Sequence, residues 1–111
     1  MTAIKLSEIN EIEIIPGYFV KLIHSERMTI ANFRIKAGAP APLHTHIHEQ
    51  ICNVLDGEFE LTVGGVKHTM SAGTSVVIPP DVPHSGVAIT DCRVMDVFSP
   101  SREDYRFEKA T

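Results

Sequence analysis

From Glu58 to Val63 the chain alternates polar and apolar residues without error, and after Gly64-Gly65 the run Val66–Met70 resumes the period of two with His68 at an apolar position. A period of two sends successive side chains to opposite faces of a sheet, which an amphipathic helix cannot do. Gly-Gly between two alternating runs is the mark of a two-residue hairpin. Asp56-Gly57 carries a similar mark. The pattern therefore predicts that Ile51–Leu55 pairs antiparallel with Glu58–Val63, which pairs in turn with Val66–Met70. Ser71-Ala72-Gly73 is a further turn, leading into the β-branched run Thr74–Ile78. Pro79-Pro80-Asp81-Val82-Pro83 must be an irregular loop, because its prolines cannot donate to a ladder. Val87–Ile89 and Cys92–Phe98 read as strands joined around Thr90-Asp91. Tyr18–Ile23 and Thr29–Ile35 read as strands joined by Ser25-Glu26-Arg27, and Ile9–Ile14 as a strand or a short turn. No window longer than about ten residues has a helical stripe. Many short strands with Gly and Pro turns indicate an all-β antiparallel sandwich or small barrel.

A chain of 111 residues fits one domain, 1–111. The net charge is −4 and the Lys and Arg residues are scattered singly, which argues against nucleic acid or an anionic membrane surface as a partner. Apolar runs such as Val76-Val77-Ile78 fall far short of the roughly 20 residues needed to cross a bilayer. The opening MTAIKLSEIN lacks the apolar block of a secretory signal, so a cytoplasmic location is expected. Cys52 and Cys92 have neither finger nor redox spacing and read as buried thiols. Exposed edge strands, the N-terminal ones above all, predict a homodimer.

Histidine is the compositional anomaly. Of six, three fall within five residues: His44, His46 and His48. In a strand, residues i and i+2 share a face roughly 7 Å apart, so His44 and His46 can converge on one metal ion. Gln50 has the same parity but lies roughly 20 Å along a straight strand. It joins the site only if the chain turns back near Ile47-His48-Glu49. His84 follows the rigid proline loop. His48 is a candidate ligand in place of His44 or His46, or a supporting group, and Glu49 is a candidate in place of Gln50. His24 and His68 read as ordinary surface or core histidines.

The stretch Gly38-x5-His44-x-His46-x3-Gln50-x6-Gly57 resembles the first motif of the cupin superfamily, and Gly73-x5-Pro79-x-Asp81-x2-His84 resembles the second. The core motifs span 38–57 and 73–88. In three places the chain departs from the family's usual residues: Gln50 for Glu, Asp81 for Gly and Ala88 for Asn. The resemblance implies a double-stranded β-helix, the cupin jelly-roll barrel. It also implies His44, His46, Gln50 and His84 as ligands of one divalent transition metal inside the barrel. Zn, Ni, Fe, Co and Mn all accept such a site. Four neutral ligands would leave the ion its full charge, and they differ from the two-His-one-carboxylate triad of oxygen-activating iron enzymes.

The C-terminal stretch, DVFSPSREDY, is the second informative segment. Cys92, Val94, Asp96 and Phe98 share one strand face; if it is the inner one, Asp96 is a carboxylate inside an apolar barrel, able to move protons. Arg102 can pair with a substrate carboxylate or with Glu103 or Asp104. Tyr105 and Phe107 are the residues that can dock the tail 100–111. The stretch Ile78–Tyr105 is similar to the pectin-degradation cupins, which open unsaturated uronate rings. That similarity implies a pocket lined by Asp96, Phe98 and Arg102. Asp96 and Arg102 would be catalytic, and Phe98 and Arg102 would contact a small anionic substrate. The expected activity is conversion of a 4,5-unsaturated monouronate to the linear 4-deoxy-5-keto form. A metal-dependent dioxygenase and a non-catalytic small-molecule or sugar binder are the alternatives.

Overall fold

A computed structural model describes residues 2–106. Strands β1 Ile12–Ile15, β2 Tyr18–His24, β3 Thr29–Ile35, β5 Glu49–Asp56, β8 Ser75–Ile78 and β10 Cys92–Ser99 form one sheet in the order β1-β2-β3-β10-β5-β8. Strands β4 Pro40–His44, β6 Glu58–Val63, β7 Val66–Ser71 and β9 His84–Ala88 form a second, in the order β4-β9-β6-β7. All pairings are antiparallel. From β3 onward the chain passes back and forth between the sheets, with β6 and β7 as the one consecutive pair that stays together. This is the expected jelly roll.

The alternation explains the core. Thr29, Ala31, Phe33 and Ile35 of β3 are buried while the residues between them are not, and β10 repeats this with Cys92, Val94, Asp96 and Phe98. Phe59, Leu61 and Met70 close the core from the second sheet. Gly86 of β9 lies against the Phe59 ring, where an added Cβ would collide with it. Both cysteines are free and buried, as expected. Burial pushes the Cys92 thiol up to about 11 and the Cys52 thiol higher still.

The hairpin at Gly64-Gly65 forms as expected, with Val63 opposite Val66. The pairing expected across Asp56-Gly57 does not form. β5 pairs with β10 and β8, and β6 with β7 and β9. Gly57 has φ +81° and sits against the Asp91 carbonyl and the Thr90 side chain, so it carries the chain from one sheet into the other rather than around a hairpin. β9 begins at His84, earlier than the expected Val87, and Thr90-Asp91 is likewise a crossing between sheets. β4 escapes the alternation because two of its five residues are proline, tolerated here on a sheet edge. Upstream, Leu6–Glu8 make a 3-10 turn and the strand begins at Ile12. Phe107 lies outside the described residues.

Candidate metal centre and its cavity

His44 is the last residue of β4 and stands opposite His84, the first of β9. His46 lies beyond β4, in the turn at 45–48, and that turn brings Gln50 back onto the inner face of β5. The turn near His48 that Gln50 requires is therefore present. Strand parity, however, does not explain how His44 and His46 converge, because His46 is outside the strand. One nitrogen from each of His44, His46 and His84 lies within 4.8 Å of the others, so the group can hold a metal ion. The ring centres of His44 and His84 are 4.2 Å apart, and those of His46 and His84 4.8 Å.

The three imidazoles are oriented by one repeated device. His44 Nδ1–H donates to the Pro42 carbonyl at 2.7 Å, His46 Nδ1–H to that of His48 at 3.0 Å and His84 Nδ1–H to that of Val82 at 2.9 Å. A ring with its proton on Nδ1 carries its lone pair on Nε2 when neutral. Fixing the outer nitrogen by a carbonyl is how proteins set the tautomer of metal-binding histidines. Burial, reinforced by Arg102 and His84, pulls the His46 pKa down to about 4, and burial also lowers that of His84, so both rings are neutral near pH 7.

Two atoms in this centre have no adequate partner in the protein. His84 Nε2 is buried without a hydrogen bond. His46 Nε2 faces Gln50 Oε1 at 3.0 Å, which sets an acceptor against an acceptor. Turning the Gln50 amide over would relieve this, but its NH2 group supports the Asp96 carboxylate. A cation shared by the imidazole nitrogens and the amide oxygen satisfies every group at once. The residues present thus fit a divalent metal.

Asp96 is the expected inward carboxylate of β10. It is buried opposite Cys52 of β5 and Ala31 of β3. Burial pushes its pKa up to about 6, against the pull of the Cys52 thiol, the Gln50 amide and the Arg102 charge. Its Oδ1 has no hydrogen-bond partner. A carboxyl group that titrates this close to neutrality can both give and take a proton. Arg102 is buried as well. Its guanidinium lies over the rings of Phe98, 4.6 Å to the ring centre, and Tyr105, 3.9 Å. Its Nε and Nη2 donate to Asp104 at 3.0 and 2.8 Å. Both expected environments of Arg102, pocket and acidic neighbour, are therefore present.

These groups line one cavity of about 220 Å³. His44, His46, Gln50, His84, Asp96 and Arg102 crowd its mouth, while Tyr18, Phe33, Phe59 and Leu61 form an apolar floor. His48 is buried beside the centre but outside the triad, and its carbonyl orients His46. Glu49 is exposed on the outer face of β5. His24 Nδ1 meets the Thr29 hydroxyl at 2.8 Å, and His68 is paired with Leu61 on β7. The sequence reading missed the part played by Cys52, although its register opposite Asp96 follows from the alternation once the β5–β10 pairing is known. Tyr105, which the sequence offers only as an anchor for the tail, and Ile14 and Ile15 of β1 also line the cavity.

The cupin domain model matches residues 31–98, more than half of the chain. The chain belongs to the cupin family. Among curated proteins, this cupin is 34% identical over 70 residues to the pectin degradation protein KdgF of Dickeya dadantii, covering 61% of this chain and 64% of that one. Among solved structures, it matches KdgF from a Halomonas species with a TM-score of 0.84 and 33% identity, over 88% of this chain and 92% of the other. It matches an RmlC-like cupin from Shewanella frigidimarina with a TM-score of 0.85 and 31% identity, over 89% and 90%. No helix of the described residues is long and apolar enough to cross a membrane.

Proposed function

We propose that this cupin is a metal-dependent enzyme that opens the ring of 4,5-unsaturated monouronates, giving linear 4-deoxy-5-keto uronates. The observation that carries the reading is the opposition of His46 Nε2 and Gln50 Oε1 in the same cavity as a partnerless Asp96 oxygen and a buried Arg102. Similarity to proteins named for pectin degradation supports the substrate class.

His44, His46, Gln50 and His84 would hold the ion. A divalent transition metal bound by four neutral donors, whether Zn, Ni, Fe, Co or Mn, keeps its full charge and supplies Lewis acidity toward a carboxylate or hydroxyl oxygen. Arg102 pairs with the substrate carboxylate, and Phe98 walls the pocket and supports the guanidinium. Asp96 transfers protons as the enol ether is hydrated and the ring opens. C4 gains a proton, the C5 oxygen ends as a ketone, and the water added is lost again. The net change is an isomerisation, so neither an oxidant nor a reductant is needed. As parts of the same reading, residues 1–111 act as one cupin domain in the cytoplasm, and two copies pair through the exposed edge of β1.

One observation favours a second reading. The apolar floor suits a diketone or flavonol, the kind of substrate a cupin dioxygenase takes, better than a hydroxylated sugar. A non-catalytic binder is the third possibility. Metal analysis of the purified protein with an absorbance assay separates them. Loss of the conjugated enol-ether signal faster than the spontaneous rate, abolished by Asp96→Ala, is the expected result. Oxygen uptake with a diketone supports the second reading. Ligand affinity that survives Asp96→Ala, with no turnover on any substrate, supports the third. Decay at the spontaneous rate in both the wild type and the variant overturns the proposal.

A further inference from the structure

Arg102 is held by more groups than a substrate contact requires. Its backbone N–H donates to Thr29 Oγ1 at 2.8 Å, and Thr29 is fully buried. A single 3-10 turn, Glu103–Tyr105, follows it, closed by Tyr105 N–H to the Arg102 carbonyl at 3.0 Å. That turn folds two side chains back onto one guanidinium. Tyr105 packs against the guanidinium beside Phe98 of β10, the two rings perpendicular with centres 6.1 Å apart, and the Asp104 carboxylate takes the edge formed by Nε and Nη2. The Arg102 side chain is 7% exposed and that of Asp104 57%. Arg102 lines the cavity and Asp104 does not. The carboxylate therefore holds the guanidinium from the solvent side and does not occupy the substrate's place.

We propose that Asp104 is the positioning residue of Arg102, fixing its outer edge so that the edge carrying Nη1 is presented to a carboxylate in the cavity. The inference rests on the reading of Arg102 as the carboxylate anchor. Contact with the two rings tolerates some rotation of the guanidinium, and the Tyr105 side chain adds a hydrogen bond of its own to it. A bidentate carboxylate removes this rotation, because two parallel N–H···O bonds define a direction as well as a distance. Asp104 also balances the charge of Arg102 at a mouth built to hold a cation. With the Asp104 carboxylate open to solvent the pair contributes little stability by itself, so the effect is expected in ligand capture, with little change in folding.

The test measures binding of a saturated monouronate, which cannot react, alongside steady-state kinetics with the unsaturated one, both on the metal-loaded protein. Asp104→Ala is expected to raise the Kd of the saturated uronate and KM together by about fivefold, the size of one modest charged contact. It should leave kcat within about twofold and metal content unchanged, and Asp104→Glu should restore most of the affinity. In an Arg102→Ala background the Asp104 substitution should have no further effect. If Asp104→Ala leaves Kd unchanged or tightens it while Arg102→Ala weakens it, the positioning role is overturned and the anchor stands. If Arg102→Ala leaves Kd unchanged, the anchor itself is wrong. An equal loss of Kd from Asp104→Ala in the presence and absence of Arg102 shows that the carboxylate acts elsewhere, and also overturns the inference.

Discussion

Along the inner face of β10, Cys92 and Val94 pack into the apolar core, whereas Asp96 and Phe98, further along the same strand, line the cavity beside the histidines and Arg102. The first half of the barrel follows the ordinary rule that buried surface is apolar. The second half departs from it. The three buried side-chain atoms without a hydrogen-bond partner among the described residues are His48 Nδ1, His84 Nε2 and Asp96 Oδ1; two belong to the mouth and His48 lies beside it. Each such atom costs about 1–3 kcal/mol. One end of a continuous strand thus supplies stability to the fold, while the other holds buried polar groups that the protein itself leaves without partners.

The contrast breaks most visibly at Asp96. Replacing it with Asn is expected to lower turnover of the unsaturated uronate by about 10³-fold, within the range of general acid–base catalysis. The midpoint of urea unfolding should hold or rise, because the amide removes a charge from a dry site. In the apolar core the opposite is expected. Met70 is fully buried, and Met70→Ala should cost about 2–5 kcal/mol of stability while the metal content of the folded protein is retained. A urea midpoint that falls as far for Asp96→Asn as for Met70→Ala would show that the two halves do not divide the work.

Metal should sharpen the same contrast. A ligand that binds only the folded state at 100 times its Kd stabilises it by about 2.7 kcal/mol. Adding a divalent transition ion to metal-free protein is expected to raise the unfolding temperature accordingly, and this gain should vanish in His84→Ala. The same gain in His84→Ala would place the ion elsewhere. A core variant such as Met70→Ala should keep the gain from its lower baseline.

The floor was largely legible in the sequence because it is written in local code. Glu58–Met70 gives the β6–β7 hairpin outright, and the parity of Cys92, Val94, Asp96 and Phe98 gives the inner face of β10. Local code is silent on which sheet a strand joins. Asp56-Gly57 and Gly64-Gly65 offer the same turn chemistry, yet Gly57 crosses between sheets because Thr90 and Asp91, distant in the chain, wall it in. The mouth was legible only through spaced motifs. His44, His46, Gln50 and His84 could be named, but the three carbonyls that fix their tautomers belong to Pro42, His48 and Val82, whose backbone direction no side-chain pattern encodes. The double role of Arg102, paired with Asp104 and lining the cavity, likewise depends on the fold of a single turn.

The smallest expected effect lies in the loop that braces the mouth. Asp81 has φ +65°, the left-handed region that glycine enters freely, and it stands where the resemblance to cupins leads one to expect Gly. Its backbone N–H donates to the His46 carbonyl at 2.9 Å, so this strained residue ties the proline loop to the turn that carries His46. Asp81→Gly keeps that N–H and removes the strain, worth about 1 kcal/mol for an ordinary residue and less for Asp. Against this, glycine gives the unfolded chain more freedom to lose, about 0.4–1 kcal/mol. The two nearly cancel, so the variant should change stability by less than about 1 kcal/mol and leave metal content and turnover as they are. A larger loss of stability would show that the Asp81 carboxylate holds the loop itself. Unchanged stability with lost metal would show instead that the strained backbone is needed to aim His46.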